Sequence, residues 1–343
     1  MVQRTNDNHF LPQAYLKPWS VDGKRVWGYR TLVSRESVPL WTRRSIRGTG
    51  FQRHLYTEIS HGGESDDFER WIEADYETPA QGAIAKVLRG EALSAVDWER
   101  LAMLLAAQDV RTPTSYLESM DRWGKEMPEL LSSTLKESVE RLERASMDEL
   151  TRASGGDGEP DFFKGVFRIR VENPADERAD GKIQAEVVLG RHFWLQSQRH
   201  LLTHTAKVLR SHKWSIAEPK AGNTWTTSDH PVVRLNYYEP GKYDLKAGWG
   251  SRGSELMMPL SPRHLLYTQV EHERPDRFVF SAYQTQEVQR ILAERAHRWI
   301  FAQSPFDRVT WLRPRHVSAE AFKAEQEEWR QWHKKQIAAE VAE

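Results

Sequence analysis

Hydrophobic and polar positions change period several times along the chain. Arg25-Val26-Trp27-Gly28-Tyr29-Arg30 alternates as a half-buried strand does, and Phe51 to Ile59 is a second candidate, so the N-terminal segment predicts a small antiparallel element. From Asp67 onward Phe68, Trp71, Ile72 and Tyr76 recur at helical spacing. Thr78-Pro79-Ala80-Gln81 then reads as an N-cap, a proline at the first helical position and a Gln closing a capping box, which predicts that a short helix breaks and a new one runs to about Gly90. Ser94 followed by Asp97 is another start signal, and the stripe Leu101, Leu104, Leu105 carries that helix to a stop at Pro113. Charged amphipathic helix continues to about Leu150. Ala153-Ser154-Gly155-Gly156-Asp157-Gly158-Glu159-Pro160 favours turns and reads as a hinge or boundary.

Beyond it, Phe162 to Val171 and Ile183 to Leu189 look strand-like, and a long helix is predicted from about Arg191 to His212. Past Lys213 the texture changes. Trp214 to Ala217, Thr224 to Thr227, Val232 to Leu235, Leu256 to Leu260 and Leu265 to Thr268 are short β-rich runs separated by Gly, Pro and Asp, the pattern of a mainly antiparallel sheet. Helix returns at Thr285 to Arg298, a strand is expected at Ile300 to Ala302, and a charged helix from about Ala319 closes the chain. The expected fold class is α+β: an N-terminal β-element with a helical lobe over 1–152, and a β-rich lobe with a long helix and a C-terminal helix over 161–343, packed as one unit.

Composition narrows the classes. With 343 residues, 39% hydrophobic and 29% charged, the chain is long enough for a large core and is not intrinsically disordered. Lys+Arg balances Asp+Glu at 49 each, so there is no global basic field and nucleic acid would have to use a local patch. Cysteine is absent, which excludes disulfides, thiolate zinc sites and a cysteine nucleophile. Residues Met1 to Phe10 lack an apolar leader core, and no stretch approaches the ~18 apolar residues of a membrane span. A cytoplasmic location and no membrane are expected. Fourteen tryptophans are the oddity, and their indole N–H groups are expected at cleft rims.

Several short motifs stand in order along the chain. They are Asn8-His9-Phe10-Leu11-Pro12-Gln13-Ala14-Tyr15-Leu16-Lys17-Pro18-Trp19, then Gln108 with Arg111-Thr112-Pro113, then Trp225-Thr226-Thr227-Ser228-Asp229-His230-Pro231-Val232, then Met258-Pro259-Leu260-Ser261-Pro262. In this order they resemble the bacterial domain-of-unknown-function 4238 family across most of the chain. The resemblance implies no activity, substrate or cofactor; it singles out residues.

For each of these residues two accounts stay open. Asp229 lies between β-rich runs, where a carboxylate can hold a metal or orient a base, yet Ser-Asp-x-Pro is also a turn whose Asp bonds backbone N–H groups. Gln108 and Arg111 continue the core-directed face of their helix, so Arg111 either pins protein acceptors or reads a phosphate with its fork. His9 is a general base, a metal ligand or a core histidine. Glu73 and Glu77 at i, i+4 can meet one divalent cation, or merely lie on a helix surface. His192, Gln196, His200 and His204 recur every four residues with no metalloprotease signature. Trp41 to Gly48 is Arg-rich and offers Arg44 to a phosphate.

Two functions follow. One is a metal-dependent phosphodiester hydrolase, a nuclease of a bacterial defence or toxin system. Asp229, His9 and Arg111 would be catalytic, Asp229, Glu73 and Glu77 would hold Mg or Mn, and Gln108, His230 and Arg44 would contact nucleic acid or a phosphorylated small molecule. The other is a non-catalytic ligand-sensing or protein-interaction module in which the same residues lock the fold.

Overall fold

The computed structural model describes residues 6–60, 63–144, 167–172 and 182–341. The predicted linker at 153–160 and the start of the strand predicted from Phe162 lie outside the described residues. The fold is α+β, and the chain divides into two compact units. One comprises residues 1–115 and 198–333, the other 116–197 and 334–343.

In the larger unit the β-rich runs assemble as their pattern predicts. A six-stranded sheet runs in the order Lys242–Asp244, Val233–Glu239, Glu255–Pro259, Leu265–Gln269, Ser215–Glu218, Arg277–Val279, antiparallel except for the last pair. Met257 and Met258, and Leu265 and Leu266, are all fully buried, so the central strands are covered on both faces and read as continuous apolar runs. One face packs Val233, Leu235, Met257, Leu265 and Tyr267 against Val288, Ile291 and Leu292 of the Ala282–Arg295 helix. That helix starts earlier than its apolar stripe indicates, because Ser281 and Gln284 form a capping box.

The N-terminal strands do not form an element of their own. Arg25–Arg30 pairs with Trp41–Ser45 on one side and with Trp299–Ala302 on the other, and Thr227–Ser228 completes this four-stranded sheet. Asp7–His9 pairs with Phe51–Arg53. Strand pairing across some 270 residues carries no local sequence signal, since alternation marks a strand but not its partner.

The helices differ from expectation at two places. Thr78 does not cap a new helix. Asp67–Ile72 runs through a π-turn at Glu73–Glu77 into Thr78–Arg89, and Pro79, which has no N–H to give, is absorbed where the winding widens. The helix predicted to His212 ends instead at Thr203 and continues as a 3-10 helix over Thr205–Ser211. Thr203 Oγ1 donates back to Arg199 O at 2.8 Å, competing with the backbone for that carbonyl at the last turn. The Ala95–Val110 helix has the expected Ser94–Asp97 capping box, and Gly90, at φ 75°, closes the helix before it.

In the smaller unit Phe167–Glu172 and Lys182–Val187 form an antiparallel pair. Arg191, fully buried, donates from Nε and Nη2 to the two Glu340 oxygens at 3.0 and 2.6 Å, and Trp194 meets Tyr116 edge-on at 5.5 Å.

Within the larger unit several indole N–H groups are spent inside the fold, and that of buried Trp225 finds no acceptor. Trp19 donates to Trp225 O, Trp41 to Phe306 O, Trp214 to Leu209 O and Trp249 to Asp109 Oδ2. Trp19 and Trp41 thus tie distant backbone together, in place of the cleft-rim positions expected of them.

Gly50 shows how tightly the N-terminal motif is held. Its φ is +71°, its carbonyl accepts from Leu11 N at 3.0 Å, and an added Cβ would lie 2.6 Å from Leu11 Cβ. Gly90 has a similar φ but open space around it. Gly50→Ala is therefore expected to cost about 2–4 kcal/mol in denaturant unfolding and Gly90→Ala only about 1 kcal/mol. Equal losses would show that Leu11 is not packed against that glycine.

Candidate functional site

Arg111 follows the last turn of the Ala95–Val110 helix and is 1% exposed. A guanidinium in such a place needs acceptors around it. Its Nε donates to Phe10 O at 3.1 Å, its Nη2 to Gln108 Oε1 at 3.1 Å, and its Nη1 to Glu77 Oε1 on the π-turn. Gln108 Nε2 donates to the same Phe10 carbonyl at 2.6 Å. Burial works against the charged guanidinium, but Glu77, with Tyr56 and Glu69, holds its pKa above the ordinary arginine value. Tyr56 OH in turn donates to Arg111 O at 2.5 Å.

The Asp7–His9 strand, which leads directly into Phe10, is held by a residue the sequence gives no reason to suspect. Glu69 accepts from Asn8 Nδ2 at 2.6 Å and from His9 N at 3.0 Å, and burial raises its carboxyl pKa against those bonds. Asn8 Oδ1 accepts from Tyr56 N at 3.0 Å. Asn8, fully buried here, must find partners, but its polar neighbours Asn6, Asp7 and His9 give no sign of that burial in the sequence. His9 Nε2 lies 3.2 Å from Arg47 O, and its ring packs beside Phe51.

Asp229 is turned elsewhere. Its Oδ1 accepts from His297 N at 2.9 Å, and its Oδ2 from Arg298 N at 2.7 Å and Trp299 N at 3.0 Å, while Asp229 N donates to Trp299 O at 3.0 Å. The Asp does bond backbone amides, as a Ser-Asp-x-Pro turn would have it, but they lie about 70 residues away on the neighbouring strand rather than in its own turn. Burial pushes its carboxyl up to about 6, although the three amides pull the other way. His230 is fully buried. Its Nδ1 lies 2.6 Å from Thr112 Oγ1, its Nε2 has no hydrogen-bond partner, and burial first, with Arg295 and Arg234, keeps the ring neutral.

The structure thus brings Arg111, Gln108, Glu77 and the backbone beside His9 into one network, and sets His230 on Thr112, the residue after Arg111. It does not join Asp229 to them: its carboxylate faces the 297–299 backbone. Nor do Asp229, Glu73 and Glu77 form a shared metal-donor group among the described residues. Glu77 is spent on Arg111, and Glu73 is exposed on the π-turn. Arg44 lies with its guanidinium 4.3 Å from the Trp299 ring centre, and burial lowers its pKa. Trp41, at the start of that Arg-rich run, is packed against Tyr29 and Phe306. The His200 and His204 rings stack at 4.7 Å on an exposed surface.

Among the described residues the metal-type cluster is a different one: His54, Glu64 and His333 have ligand atoms all within 4.8 Å of one another. Nothing local in the sequence marks it, because Glu64 and His333 are 269 residues apart.

A family model described as a protein of unknown function, DUF4238, matches residues 7–306. No curated protein and no solved structure matches the chain.

A buried ion whose fork is matched by three acceptors is expected to tolerate little change. Arg111→Lys, which keeps the charge and loses the fork, should cost about 2–4 kcal/mol in equilibrium unfolding. Asp229 yields a pH signature. Its folded-state pKa lies above its unfolded value of 3.8, so its contribution is complete below about pH 4 and is lost as pH rises through about 6. The stability gap between wild type and Asp229→Asn should therefore widen by about 1–3 kcal/mol from pH 7 to pH 4; a gap that narrows on acidification would contradict the burial argument.

Proposed function

The chain belongs to the DUF4238 family of proteins of unknown function, and we propose that within it the motif residues frame a non-catalytic ligand-sensing or protein-interaction module. One observation carries this reading: the side chains of Arg111 and Asp229, and one ring nitrogen of His9, are engaged by the protein itself. Asp229 gives three of its roughly four acceptor sites to backbone amides. Arg111 uses Nε, Nη1 and Nη2 on Phe10, Glu77 and Gln108. His9 Nε2 faces a backbone carbonyl. A phosphodiester hydrolase built on these three would need a carboxylate free for Mg or Mn, an arginine fork free for phosphate and an imidazole free to move a proton. In this frame the same side chains act by fixing where strands and helices meet, and a ligand or partner is bound by surfaces that the frame holds in place.

The test is a paired measurement of turnover and melting. Purified protein with Mg2+ or Mn2+ is expected to cleave neither single-stranded nor duplex nucleic acid nor a chromogenic phosphodiester above background, and Asp229→Asn and Arg111→Ala are expected to melt at lower temperature. Metal-dependent cleavage by the wild type that vanishes in an Asp229→Asn variant of unchanged melting temperature would restore the hydrolase reading.

A further inference from the structure

His54 stands in a turn just after the Phe51–Arg53 strand, Glu64 lies on the Gly63–Ser65 strand, and His333 lies on the Ala319–Val341 helix. His54 is one of two non-glycine residues in the left-handed region among the described residues, at φ 56°. Its main chain is gripped on both sides: His54 N donates to Asn6 O at 2.8 Å, and Trp332 Nε1 donates to His54 O at 3.2 Å. Its Nδ1 is 3.3 Å from the hydroxyl of buried Thr57, which orients the ring. His333 Nε2 lies 2.8 Å from Glu64 Oε1, and the two imidazoles lie face to face with centres 3.7 Å apart. The Glu64 and His333 side chains are 32% and 21% exposed, so an ion can reach them from solvent.

We infer that His54, Glu64 and His333 bind one divalent transition-metal ion of the zinc type. Two imidazoles and one carboxylate suit zinc, cobalt or nickel, whereas magnesium and calcium want oxygen donors throughout. Metal–ligand bonds near 2.0–2.1 Å place donors about 3.3 Å apart in a tetrahedron. Donor atoms already within 4.8 Å reach that spacing by side-chain rotation, with the stacked rings tilting toward the common ion. Three protein ligands leave a fourth position for water or an incoming group. The bound ion would tie the Ala319–Val341 helix, through His333, to the N-terminal turn at His54. The site shares no residue with the Arg111 and Asp229 networks, so it stands or falls apart from the reading of those motifs.

The experiment uses the full chain, stripped of metal with a chelator and titrated with Zn2+ by calorimetry and with Co2+ by visible absorption. The expected result is one equivalent bound, a cobalt spectrum of four- or five-coordinate type, a rise in melting temperature with Zn2+ and none with Mg2+. Glu64→Gln and His333→Gln, at partly exposed positions, should each weaken Zn2+ binding about 100-fold or more, as should His54→Asn, which keeps a residue at ease in the left-handed region. His200→Gln should leave binding unchanged. Absence of saturable Zn2+ and Co2+ binding in the wild type would overturn the inference, as would binding that survives the three substitutions and disappears with His200→Gln.

Discussion

A guanidinium that is 1% exposed cannot be left without acceptors, and the conformation of the N-terminal motif follows from supplying them. Arg111 takes one acceptor from its own helix, Gln108, one from the π-turn, Glu77, and one from the backbone just after the N-terminal strand, Phe10. The Phe10 carbonyl serves both Arg111 and Gln108, so three segments converge on the guanidinium and two of them on a single oxygen. Glu69 grips the strand just before Phe10 through Asn8 and His9. The π-turn has a part in this as well: a widened winding accommodates Pro79 on the stretch of helix that carries Glu77 toward the guanidinium.

A second constraint of the same kind closes the other end. The four-stranded sheet is assembled from the two ends of the larger unit, with Thr227–Ser228 at its edge. Asp229 follows that edge strand directly and holds three successive amides of the neighbouring chain where it enters its strand, as a hydrogen-bonded cap would. The two constraints touch, because Thr112 beside Arg111 meets His230 beside Asp229 at 2.6 Å, and Tyr15 of the N-terminal motif bonds Thr227 and the Pro259 carbonyl. Four stretches separated by up to about 250 residues therefore share one connected set of buried polar contacts. Networks of this kind specify a unique packing when fully satisfied. The unpartnered Nε2 of His230 is one place where this one is not.

Much of the local structure was legible in the sequence, since it rests on signals spanning a few residues. The Ser94–Asp97 capping box, the stop at Gly90 and the β-rich runs of the C-terminal half appear where their patterns lie. Thr78-Pro79 misled because a proline in a helical pattern has two outcomes, a restart or a local change of winding, and Asp67 to Arg89 takes the second. Partners across the fold were not legible. Arg111 and Gln108 stood out as polar groups on a core-facing stripe, but nothing pointed to Phe10 O or Glu77, and Glu69 gave no sign of its role. Asp229 was recognisable as an acceptor of amides, though not of amides 68 to 70 positions away. His54, Glu64 and His333 escaped altogether, since metal sites are found in sequence by short spacings and this one has none.

That the Arg111–Glu77 pair is an internal fastening is tested most directly by a double-mutant cycle in equilibrium unfolding, with Arg111→Met, Glu77→Met and both together. Removing one partner strands a buried charge, and removing both does not. The double variant is predicted to be more stable than the sum of the single losses by about 1–3 kcal/mol. Additive losses would mean that the two side chains do not depend on each other in the folded protein, and the account of the motif as a structural clamp would fail.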